Sequence, residues 1–202
     1  LRANLGKIIL FNKPFNVLSQ FTDNSIEQEK RQTLSHFINQ KGFYTVGRLD
    51  RDSEGLLVLT SDGAIQSRIS HPQFKIEKKY WIQVEGEPNE VCLNLIRNGI
   101  TLKDGICRPA HIKIITEPSG LWNRTPPIRF RKTVKDKWLE ITLTEGRNRQ
   151  IRRMTAAIGH PTLRLIRHSV GPWTIKGLKN GKCSKVHDFM LSEITARLTG
   201  QS

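Results

Sequence analysis

Apolar residues in this chain recur in short runs of strand length, each closed by Gly, Pro, Asn or Asp, and that spacing restricts the fold more than any other feature. KIILFNKP is a buried-strand run that Pro14 ends, because proline fixes its own backbone and removes a ladder donor. YTVGRLD at 44–50 reads as a strand with Val46 inward, and LLVLT at 56–60 as a second buried run closed by the turn SDG. KKYWIQVEG at 78–86 alternates, placing Tyr80, Ile82 and Val84 on one face. ITLKDGICRPAHIKIIT reads as a β-hairpin, WLEITLTEG as a strand, and TLRLIRHSVGPWTI as a last strand pair.

Helical spacing is confined to short segments: Thr33 to Ile38, Ala64 to Ser70 ahead of Pro72, and RNRQIRRMTAAIG with Ile151, Met154 and Ile158 as its buried face. PNEVCLNLIRNG adds a fourth, with Pro88 near its start, Val91, Leu95 and Ile96 apolar, and Gly99 as its C-cap. Strands and helices therefore mix without a βαβ rhythm. The expected fold is α+β: a mixed, largely antiparallel central sheet flanked by helices and loops. Residues 1–190 are expected to form one domain of two lobes, roughly 1–76 and 77–190, around a basic cleft, with 191–202 as a tail.

Lys and Arg number 33 against 18 acids, a formal charge of +15, so the summed field draws in polyanions and nucleic acid is the leading partner. A membrane surface would also attract this charge, but no apolar run of spanning length occurs and charges interrupt the amphipathic stretches. The apolar run near the N-terminus is too short for a signal-peptide core, which points to the cytoplasm. Leu1 rather than Met opens the chain, leaving room for an upstream segment. Cys92, Cys107 and Cys183 are odd in number and lack C-x-x-C spacing, indicating neither a disulfide framework nor a zinc knuckle. No extended heptad or apolar stripe demands a partner copy, so a monomer is expected.

Within this basic chain GRLDRDSEGLLVLTSDG, residues 47–63, gathers Asp50, Asp52 and Glu54. The group mimics the first half of an EF-hand loop, but the bidentate glutamate position falls on Ser61 and a buried β run intervenes. A Mg²⁺ site of the D-x-D type lacks further clustered acids, so no metal is expected. Asp52 and Glu54 read as turn residues of a tight connection between strands. Asp50 does not. It sits between Arg48 and Arg51 in a protein that attracts phosphates, where a carboxylate is a poor phosphate contact and needs another purpose.

GRLDRDSEGLLVLTSDG resembles the signature of the ribosomal RNA pseudouridine synthases, in the branch holding the small-subunit enzyme A and the large-subunit enzymes B, E and F. NKPFNVLSQF is similar to that family's first motif, KKYWIQVEG to its tyrosine strand, and EGRNRQIRRMTAAIGHPTLRLIRHSVG to its third motif. Four ordered motifs make an accidental match very improbable. LWNRTPPIRFRK, with FNKP and QFTD, is similar to the large-subunit enzymes of that branch. Members often carry an N-terminal S4 domain. Here the sequence starts almost at the first motif, so no S4 domain is expected, and the basic loop and sheet surface are left to find the RNA.

The resemblance implies site-specific conversion of uridine to pseudouridine in 23S ribosomal RNA by base flipping, with no cofactor, and it makes Asp50 the catalytic residue. It assigns Tyr80 to stacking on the flipped base, Arg48 to the gap the base leaves, and Arg152 to an ion pair with Asp50. A buried carboxylate needs such a cation to stay ionised. The helix face agrees: Arg149 and Arg153 project away from the buried side, whereas Arg152 lies on its flank. Ile151 serves either as a wall of the base slot or as core. Phosphate contact is expected from Arg51, Arg129, Arg131, Lys132, Arg147, Arg149 and Arg153, and from Lys13 and Lys78, which are otherwise supports of the site. The rival reading is a non-catalytic ribosomal RNA-binding or ribosome assembly factor; a metal-dependent nuclease is a second.

Overall fold

Strand β3, Glu54–Thr60, is buried along its whole length, and the rest of the chain is arranged around it. The computed structural model describes residues 8–25, 31–128 and 135–186. Among these, β3 lies between β1 (Ile8–Lys13), antiparallel to it, and β9 (Thr162–Val170), parallel to it. LLVLT carries no polar alternation because both of its faces are covered. Leu56 and Val58 join a cluster with Ile8, Ile166 and Trp173, while Leu57 and Leu59 pack with Ile9, Phe11, Leu34 and Ile38 on the other side.

Beyond β9 the sheet continues through β4 (Lys78–Glu85) and β8 (Asp136–Leu143) to an edge strand, β7 (His111–Ile115). At the opposite edge β11 (Cys183–Val186) pairs with β1. β2 (Tyr44–Thr45) adds to β3, and β10 (Trp173–Thr174) turns back on β9. Every described pairing is antiparallel except β3 with β9, which makes the sheet mixed and largely antiparallel. The parallel contact depends on Gly55: at φ +100° a Cβ there would stand 2.4 Å from the Arg167 carbonyl oxygen.

Tyr80, Ile82 and Val84 of β4 face Leu139, Ile141 and Leu143 of β8, as the alternation predicts, and helices α2 (Glu90–Arg97) and α3 (Gln150–Ala157) cover them. α1 (Gly63–Ser70) is capped by Asp62, which accepts from the Ala64 and Ile65 amides. The expected apolar face of α2 is corrected. Leu93 and Ile96 point inward, whereas Val91 and Leu95 are 72% and 53% exposed. The Asn89 cap and Arg97, which donates to the Ile112 carbonyl, fix the helix in that rotation. The expected hairpin over 100–116 also divides: β5 (Thr101–Leu102) and β6 (Gly105–Ile106) form a small hairpin of their own, and β7 joins the main sheet. Among the described residues no helix is long and apolar enough to cross a membrane.

Candidate active site

The connection between β2 and β3 carries Asp50 and is pinned from below. Ser19 Oγ donates to the Leu49 carbonyl at 2.7 Å and accepts from the Leu49 amide at 3.1 Å, and the Ser53 amide closes a turn on the Asp50 carbonyl at 3.0 Å. The Asn16 amide donates to the Arg51 carbonyl. Lys13, expected either at a phosphate or as a support of the site, is fully buried, which corrects the phosphate contact and leaves the supporting role. Its Nζ is spent on three carbonyls, those of Pro14 and Val17 at 2.8 Å and of Arg51 at 3.3 Å. Burial lowers its pKa to about 7, with the Glu54 and Asp52 carboxylates pulling the other way. The Lys13→Met variant removes this donor from the Pro14 and Val17 carbonyls and leaves the Arg51 carbonyl only the Asn16 amide, and it is expected to lose about 2–3 kcal/mol in urea unfolding. A loss under about 0.5 kcal/mol, the range of neutral surface changes, would show that Lys13 does not hold the loop.

A cleft of about 420 Å³ opens beside this connection, bounded by it, by the start of β4, the end of β8 and the entry to α3. Asp50, Arg48, Tyr80, Lys78 and Ile151 all line it, and so do Arg147, Arg149 and Arg167. Asp50 is 37% exposed, whereas Tyr80 and Ile151 show only an edge to solvent. Tyr80 thus belongs to the core and to the cleft wall together. The other lining acid, Glu145, is engaged: it accepts from the Arg108 amide and Gln150 Nε2, and Arg147 Nε lies 3.5 Å away. Asp50 is the carboxylate presented to a cavity walled by cations.

The cation nearest to it differs from expectation. Arg152 turns to Asp52, its Nε 3.4 Å from Oδ2 and its Nη2 donating to the Asp52 carbonyl at 2.7 Å. Arg149 reaches Asp50 Oδ2 at 3.7 Å while holding Asp52 through two bonds of 3.0 and 2.8 Å. The helical projection fails for Arg149 because it caps α3 in a left-handed conformation, φ +47°, and so points back at the loop. Burial works against the Asp52 carboxylate, but Arg149 and Arg152 outweigh it and hold its pKa below the usual range. Asp52 is therefore an anchor for both arginines, more than the turn residue expected.

Several expected phosphate contacts have protein partners. Arg153 grips Asp104 through two bonds of 2.8 and 3.0 Å, and Arg147 donates to the Gly105 and Ile106 carbonyls, latching the β5–β6 hairpin beside α3. Lys78 Nζ donates to the Ile76 carbonyl, and burial together with the Arg167 charge lowers its pKa. Arg51 is exposed and lies off the cleft lining. Arg129, Arg131 and Lys132 lie outside the described residues.

The insertion ahead of them packs against the body of the protein. Trp122 Nε1 donates to Glu54 Oε1 at 2.7 Å, and Arg124 lies over the Phe15 ring. Glu54, expected in a turn, starts β3, is 1% exposed and accepts two bonds from Arg164 at 2.8 and 2.9 Å. The clustered acids thus divide: Asp50 and Asp52 share Arg149, whereas Glu54 turns to Arg164 and Trp122. Among the described residues no group of three His, Cys, Asp or Glu side chains is placed to hold a metal. Ser53 and Arg167 line the cleft without having been expected there. The available signal was an arginine inside the apolar run LRLIRHSV.

A cation-walled cleft with one presented carboxylate and a tyrosine wall, set on a mixed sheet, suits an enzyme that acts on an anionic substrate. The sequence profile described as RNA pseudouridylate synthase matches residues 7–157. The ribosomal large subunit pseudouridine synthase E of Vibrio vulnificus (strain CMCP6) is 53% identical over 180 residues, 89% of this chain and 75% of the relative. That of Xanthomonas axonopodis pv. citri (strain 306) is 52% identical over 171 residues, 85% and 89% of the two chains. A crystal structure of a pseudouridylate synthase, at 24% identity, shares the fold with a TM-score of 0.74 over 94% of this chain and 74% of its own. The chain belongs to the RNA pseudouridylate synthase family and is an isomerase of that class.

Proposed function

We propose that this protein converts a specific uridine of large-subunit ribosomal RNA to pseudouridine, in the cytoplasm, with Asp50 as its catalytic carboxylate. The observation that carries the reading is the placement of Asp50: an acid presented in a cleft walled by Arg48, Lys78, Arg147, Arg149 and Arg167. The names of the similar Vibrio and Xanthomonas proteins support the choice of large-subunit RNA.

The reaction breaks the bond from the ribose C1′ to N1 of uracil, turns the base, and joins C5 to the same carbon, with the C5 proton ending on N1. Atoms and electrons balance within the nucleotide. The requirement is a carboxylate beside the sugar and base, serving as nucleophile or base. A stacked uridine cannot reach Asp50, so it must leave the helix, at a cost of a few kcal/mol. Tyr80 offers the flipped base a flat wall, Ile151 bounds the same space, and exposed Arg48 stands at the rim to occupy the gap. Arg149 neutralises Asp50 directly, while Arg152 and Asp52 hold Arg149 and the loop in register.

Mapping pseudouridines in large-subunit RNA from cells with and without the gene tests the proposal. One position is expected to revert to uridine and to return on re-expression. An unchanged map would overturn the reading.

A further inference from the structure

Two polar groups buried in the cleft wall have no partner within the protein. Ser53 is 1% exposed and Arg167 is 3% exposed, both line the cleft, and neither Ser53 Oγ nor Arg167 Nη2 makes a hydrogen bond. Native proteins keep few such groups, and each calls for an explanation, such as a catalytic role or a bound water or ion. Arg167 is not free to turn away. Its Nε donates to the Leu56 carbonyl at 2.7 Å, and its backbone is pressed against Gly55, so the direction of the uncommitted Nη2 is set by the sheet.

Register says what that nitrogen would meet. Tyr80 and Arg167 are directly paired across β4 and β9, so their side chains leave the same face of the sheet as neighbours. A base lying on the Tyr80 ring would therefore have Arg167 as its neighbour. The edge of uracil is N3–H flanked by two carbonyl oxygens. A guanidinium only donates, whereas a hydroxyl both donates and accepts.

We propose that Arg167 Nη2 donates to a ring carbonyl oxygen of the flipped uracil and that Ser53 Oγ accepts from its N3–H, so that this pair reads the base. The inference rests on the cleft being a uridine pocket, as proposed above. Both contacts form only after flipping, so they act on the rate of reaction, while affinity for the RNA comes from its phosphates.

The test uses full-length wild type, Ser53→Ala and Arg167→Lys with synthetic RNA of the mapped site, carrying uridine, 2-thiouridine or 4-thiouridine at the target. Each variant is expected to slow single-turnover isomerisation of uridine about 10–100-fold, the effect of one or two buried hydrogen bonds, with RNA affinity unchanged. Wild type slows on one of the two thio-RNAs, because sulfur is a weaker acceptor, and Arg167→Lys slows little further on that same RNA. A merely structural role for Arg167 would multiply both penalties on both RNAs, and that result would overturn the inference. So would a Ser53→Ala rate within twofold of wild type; this variant removes one oxygen and remains decisive should Arg167→Lys fold poorly. If wild type isomerises no large-subunit uridine, the functional reading falls and takes this inference with it. If wild type is active and no coupling is seen, only the inference falls.

Discussion

The Asp50→Asn protein is expected to bind its target RNA at least as tightly as wild type while forming pseudouridine at least about 10³-fold more slowly. The substitution keeps the shape of the side chain and leaves the backbone turn from Ser53 intact, so the loop should hold its course. What changes is one charge. Losing it removes the acid from a cavity lined by Arg48, Lys78, Arg147, Arg149 and Arg167, which raises the local attraction for phosphate and argues for unchanged or tighter binding. It also removes the only function a carboxylate can have there, since the amide is neither a base nor a competent nucleophile. Retention of more than a tenth of the wild-type single-turnover rate would show that Asp50 is not the catalytic carboxylate, whereas a wild-type protein that binds the RNA and forms no pseudouridine would point to the rival, a binding factor without catalysis. Loss of binding together with activity would instead place Asp50 among residues that merely hold the loop.

Much of this site was legible in the chain because its parts lie on locally coded elements. GRLD precedes a run of buried residues, and the alternation of KKYWIQVEG places Tyr80 on the inner face before any tertiary contact is known. What pattern does not carry is which partner a charge finds. A lysine at a strand end can serve phosphate or support the site, and only the fold decides: Lys13 lies beneath the loop and meets carbonyls of residues as distant as Arg51. Arg149 was projected outward as a helical residue, but it stands one position before the helix in a left-handed conformation that no periodicity signals. The parallel contact of β3 with β9 joins Gly55 to Arg167 across more than a hundred residues, and local turn chemistry is silent about such pairings. β11 carries no signal for a simpler reason: three of its four residues are exposed, so CSKV shows no apolar signature.

Replacing Glu54 by glutamine is expected to lower stability by about 3–5 kcal/mol, the largest loss among the three clustered acids. Glu54 is 1% and Arg164 7% exposed, so neither charge has water to fall back on. Glutamine can keep an oxygen toward Trp122 Nε1 and Arg164 Nη2, but its amide group then faces Arg164 Nε, donor against donor, and the guanidinium remains charged and buried. Removing both charges is a different matter. Glu54→Leu with Arg164→Met substitutes apolar volume for the pair, and the double variant should be more stable than either single variant, since a buried pair contributes little beyond an apolar replacement of similar size. Urea unfolding of wild type, Glu54→Gln, the two single variants and the double variant measures this. Additive losses, or a Glu54→Gln protein within about 1 kcal/mol of wild type, would show that the pair is well solvated and that the argument from burial is wrong. The consequence reaches the cleft, because Glu54 begins β3 directly after Ser53. The ion pair with Arg164 sets where the strand starts, and with Lys13 below and Arg149 and Arg152 beside it, it leaves Asp50 as the acid of the cluster that lines the cleft.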